Sequence, residues 1–191
     1  MSSSAAKIIA AGPLRVDFER AGDRYSHRVV IELGGQSVVL MQSLDGTASD
    51  SWPASPALQE LHDSAGALLC VGMAGQSHWS LSAAADEAGG RIGFDVACRV
   101  KQRPDWLGSS YRVSPGLTPE LAADQMSVVV NGKAEGLSIR LSIEPLAFPG
   151  TLVLAGSELR IGAGSEPQLK YPATIRWRYW LEAVPTELRS R

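Results

Sequence analysis

The strongest constraint on what this chain can fold into is a period of two. In "GLSIRLSIEP", Leu137, Ile139, Leu141 and Ile143 alternate with Ser138, Arg140, Ser142 and Glu144. Successive side chains of a strand point to opposite faces, so such a run makes one apolar and one polar face. "LRVDFER" sets Leu14, Val16 and Phe18 against Arg15, Asp17 and Glu19, and "IGFDVACRVK" sets Phe94, Val96, Cys98 and Val100 against Asp95, Ala97, Arg99 and Lys101. "TIRWRYWLE" places Ile175, Trp177, Tyr179 and Leu181 opposite Arg176, Arg178, Trp180 and Glu182. Half-buried antiparallel strands have this signature.

Turn residues separate the runs. "ELGGQS" can close a hairpin through Gly34 and Gly35, and "DEAGGR", "NGKAEG", "AFPGT" and "IGAGSEP" supply further breakers. The spacing predicts about ten to twelve strands in two packed antiparallel sheets, a single all-β sandwich domain over 1–191 with 1–12 as an N-terminal tail. At most one or two short helices are expected. "TPELAADQM" offers Thr118 as N-cap and Pro119 in the first turn, while "SPALQELH" suits a helix capped by Ser55 or a strand.

With 191 residues the chain can bury a core without covalent staples. Its two cysteines, Cys70 and Cys98, lie in apolar runs and read as buried thiols, the alternative being a bridge between adjacent strands. The net charge of −2 gives no general field for nucleic acid or anionic lipid. No run reaches the roughly 20 apolar residues of a membrane-spanning helix, and no secretory leader is evident, so a cytoplasmic location is the default expectation.

"GQSHWSLS" puts a serine beside a histidine, the elements of an activated nucleophile. In a strand, however, Ser77 shares the face of Trp79, whereas His78 travels with Ser80. The G-x-S-x-G turn of serine hydrolases is also missing. The expected site is therefore the polar face: His78, Ser80, Asp95 and Arg99, extended by Arg176, Arg178 and Trp180 on the "IRWRYW" strand. Trp52 and Trp106, in loop sequence, are candidates to line a groove. The alternation "IRWRYW" resembles a base-stacking platform in composition, but Trp177 and Tyr179 face away from the arginines, so nucleic acid is not expected. His27, His62 and His78 show no metal-ligand spacing, and no phosphate-cradling glycine motif is present. Neither a metal nor another cofactor is expected.

These residues suit a non-catalytic binding or accessory module for a small polar ligand, carbohydrate being favoured. The alternatives are a sugar-active enzyme of the aldose-epimerase-like sandwich type, with His78 as acid or base assisted by Asp95, and a structural or homo-oligomerising module.

Overall fold

A computed structural model describes residues 6–47, 49–131 and 137–185. The hydrophobic alternation is realised as fifteen strands in two antiparallel sheets, with no helix among the described residues. The seven-stranded sheet contains β1 (Lys7–Ala11), β2 (Leu14–Ala21), β3 (Arg24–Leu33), β4 (Gln36–Ser43), β9 (Gly108–Val113), β14 (Glu158–Gly162) and β13 (Thr151–Ala155), in that spatial order. The eight-stranded sheet runs β10 (Thr118–Leu121), β11 (Ser127–Asn131), β12 (Leu137–Ile143), β15 (Ala173–Pro185), β8 (Arg91–Val100), β7 (Ser77–Asp86), β6 (Ala67–Ala74) and β5 (Glu60–Ser64). The apolar faces pack on each other: Val16, Phe18, Val29 and Tyr111 from the first sheet meet Trp79, Phe94, Val96, Trp177 and Tyr179 from the second in one buried cluster.

Three local expectations need correction. Residues 7–11, expected as tail, form β1 by pairing with β2, while 1–5 lie outside the described residues. The helix expected at "TPELAADQM" is absent: Thr118–Leu121 is an edge strand paired with β11, where Pro119 is tolerated because one side of an edge strand needs no donors. In "SPALQELH", neither a helix nor a full-length strand forms; 55–59 is irregular and β5 begins at Glu60. The hairpin at Gly34 and Gly35 forms as expected, with φ of 55° and 81°, which non-glycine residues rarely adopt. The turn expected at "NGKAEG" falls on 132–136, outside the described residues.

The connection from β4 to β5 closes one end of the sandwich. Ser55 Oγ donates to the Ser110 carbonyl and accepts from the Ser110 N–H, both at 2.9 Å. Tyr25 N–H donates to Leu58 O, and Gln59 N–H to Val71 O, so the segment is tied to both sheets. Gly72 permits this approach, since a Cβ there would lie 2.0 Å from the Ala57 carbonyl oxygen. Gly72→Ala is therefore expected to displace the segment and cost about 1–3 kcal/mol, as overpacking does, read as a lowered thermal midpoint.

Cys70 and Cys98 are buried free thiols on β6 and β8, separated by β7. Burial pushes both thiols up to about 12. They remain protonated and unreactive at neutral pH.

Candidate functional site on the outer face of the eight-stranded sheet

The strand registers lay out the outward face of this sheet as rows. Met73, His78, Arg99 and Thr174 follow one another across β6, β7, β8 and β15. The next rows are Val71, Ser80, Ala97 and Arg176; Leu69, Ser82, Asp95 and Arg178; then Ala67, Ala84, Gly93 and Trp180. The sequence-predicted residues of these strands thus share one face, but the structure divides them into two groups.

Asp95, Arg176, Arg178 and Trp180 form a network with their own neighbours. Arg176 Nε donates to Asp95 Oδ1 at 2.6 Å, and its second nitrogen pairs with Oδ2. Arg178 Nε donates to Asp95 Oδ2 at 2.9 Å and its Nη1 to Glu144 Oε1 at 3.2 Å. Glu144 in turn accepts from the Trp180 indole N–H at 3.3 Å. The Arg91 guanidinium stands 4.1 Å from the Trp180 ring centroid and is held by Asp86 at 2.9 Å. Donating hydrogen bonds to Asp95 raises the already high Arg176 pKa, so that cation stays charged.

Gly93 seats the Trp180 ring, because a Cβ there would lie 2.7 Å from Cζ3. The network joins three cations, Arg91, Arg176 and Arg178, to three carboxylates, Asp86, Asp95 and Glu144. Its hydrogen-bonding capacity is largely taken up internally, and Trp180 is stacked against Arg91 rather than standing clear as a platform.

His78, Ser80 and Arg99 form the second group. They face an open groove of about 510 Å³ at the β5 side of the sheet, together with Gln59, Glu60, Val71, Met73 and Thr174. One wall is apolar, with Val71 42% and Met73 48% exposed. It is fixed by Gln59, whose side-chain amide donates to Met73 O at 2.9 Å and accepts from Met73 N–H at 2.7 Å, imitating a strand partner. The opposite wall carries the donors His78, Ser80, Arg99 and Thr174. Arg99 has no ion-pair partner among the described residues. Guanidinium groups are always charged and suited to bidentate binding of carboxylates.

Asp95 lies opposite Ser82, four positions along β7 from His78 and hence about 13 Å away at about 3.3 Å per residue. It is not placed to assist His78. Ser77 is buried on the core side and hydrogen-bonded to Cys98, directed away from His78. Trp52 is half-buried against the core in the β4–β5 connection and is not part of the groove lining.

Glu60, Gln59, Val71, Met73 and Thr174 are groove residues that sequence reasoning missed. The exposed apolar positions of "ALLCVGM", alternating with buried Leu68 and Cys70, were the available signal. Among the described residues, no group of three or more His, Cys, Asp or Glu side chains is placed to hold a metal ion, and no helix is long and apolar enough to cross a membrane. Neither a protein-family model nor a curated protein matches the sequence.

Proposed function

We propose that the protein is a non-catalytic ligand-binding module whose site is the His78–Arg99 groove, and that its ligand is a carbohydrate. The observation that carries this reading is the pairing of an exposed apolar wall, Val71 and Met73, with Arg99, which has no ion-pair partner among the described residues, and its neighbours His78 and Ser80. A sugar ring has the matching character, with a C–H face for the apolar wall and hydroxyls for the polar one. Arg99 favours a sugar bearing a carboxylate, since hydrogen bonds to charged groups are about twice as strong as neutral ones.

The test is titration of isotope-labelled protein with a panel of neutral sugars and uronates, followed by amide shifts of β6, β7 and β8. A uronate is expected to shift His78, Ser80 and Arg99 and to bind better than its neutral parent. Arg99→Ala is expected to weaken uronate binding by about tenfold, equivalent to about 1.4 kcal/mol, without changing the thermal midpoint. Absence of shifts with every sugar would overturn the reading. Turnover of a bound sugar would replace it by the enzymatic one.

A second occupant fits the same apolar wall. Leu69, Val71 and Met73 form an exposed stripe along β6, of the kind that meets another copy of the chain. A concentration-dependent dimer in light scattering, abolished by Val71→Lys, is the result expected of that alternative.

A further inference from the structure

The connection from β8 to β9 and that from β14 to β15 meet at one end of the sandwich around Trp106. Its indole N–H donates to the Ala54 carbonyl at 3.2 Å, which fixes the ring's edge. Its six-membered ring lies over Gly108 and Gly162, which face each other across β9 and β14. A Cβ on Gly108 would come 2.8 Å from ring atom Cζ2, and one on Gly162 would stand 3.7 Å from Cη2. The absence of side chains on this glycine pair lets the ring settle against the sheet backbone.

Beside the half-buried ring is a concavity of about 440 Å³ lined by Trp106, Arg103, Asp105, Thr151, Glu166 and Tyr171, among others. Trp106 is thus anchored by its edge and supported by the sheet next to a space rich in hydrogen-bonding groups. Arg103, Asp105 and Glu166 have no ion-pair partners among the described residues. The hollow shares no lining residue with the His78–Arg99 groove.

We propose that this hollow is a second binding site, and that it takes a neutral pyranose stacked on Trp106. The charges select for neutrality. A cation would meet Arg103. An anion would meet Asp105 and Glu166. A polyol satisfies both signs, because each hydroxyl can donate to a carboxylate and accept from a guanidinium. The C–H face of the sugar covers the indole, where an aromatic ring contributes apolar area with little loss of conformational freedom. This inference rests on its own residues and survives failure of the groove reading.

The test follows the Trp106 indole N–H resonance, assigned by its disappearance in Trp106→Phe, while methyl pyranosides are added to the intact protein. Saturable movement of that resonance by a neutral glycoside is expected. Glu166→Gln and Asp105→Asn, both exposed and compatible with the fold, are expected to weaken it by about tenfold together. Arg99→Ala is expected to leave this response unchanged, which separates the two sites. No movement with any methyl glycoside would overturn the proposal, as would stronger binding of tetramethylammonium or of a nucleoside, which would indicate a cation or nucleobase site instead.

Discussion

Replacing Trp79 by alanine is expected to lower the stability of the protein by about 3–5 kcal/mol, the range for removing a large aromatic side chain from a core. Trp79 is 2% exposed and packs perpendicular to Trp177, with ring centroids 6.1 Å apart, where β7 and β15 flank β8. Its indole N–H has no hydrogen-bond partner among the described residues, so the loss is almost wholly one of apolar contact and of the cavity left behind. Trp177 differs, because its indole N–H donates to Ser109 Oγ at 3.1 Å and its removal also breaks that buried hydrogen bond.

The neighbouring change His78→Ala faces solvent and is expected to alter stability by no more than about 0.5 kcal/mol. Urea unfolding of the two variants checks the contrast. An unchanged midpoint for Trp79→Ala would mean that the two faces of β7 had been assigned in reverse.

Stability is also expected to fall as the pH is lowered from neutrality, with His27 as a main cause. His27 is buried between the rings of Phe18 and Phe94, at centroid distances of 5.0 and 5.5 Å. Its Nε2 lies 2.8 Å from the Tyr111 hydroxyl, which is itself 2.7 Å from the Tyr179 hydroxyl, forming a polar chain from one sheet to the other. Burial pushes the imidazole down to about 3 from its ordinary value of 6.5, so it is neutral in the folded protein.

The folded pKa is depressed, so below pH 6.5 the unfolded chain takes up a proton that the folded chain refuses until about pH 3. The contribution of His27 is complete above pH 6.5 and is lost toward pH 3. Its slope approaches about 1.4 kcal/mol per pH unit, so about 2 kcal/mol is gone by pH 5. Urea unfolding at pH 5, 6 and 7 measures this. His27→Gln is expected to start less stable at pH 7 but to lose this part of the slope. Because every other titrating group is common to both proteins, parallel pH profiles would refute the assignment.

Backbone stereochemistry made one part of the molecule readable from sequence. The opposite directions of Ser77 and His78, the burial of Val96, Ile139, Leu141 and Trp177, and the outward faces of Arg176 and Arg178 follow from alternation along single strands. Each needs only local residue order. The helix expected at Thr118 shows where such local reading fails: capping chemistry favoured a helix, and pairing with β11 decided for a strand.

The candidate site was legible only as a set of outward side chains. Its division into an internally paired network and an open groove depends on neighbours remote in sequence. Asp95 is claimed by Arg176 and Arg178, 81 and 83 residues away, and Trp180 lies on Gly93 of a different strand. The apolar wall of Val71 and Met73 is held in place by Gln59 from the β4–β5 connection. The sequence by itself determined which side chains turn inward and which outward, because alternation is a property of the extended backbone at each residue. Only the tertiary structure decided which outward groups meet and neutralise one another, because strand order and register depend on the packing of distant segments.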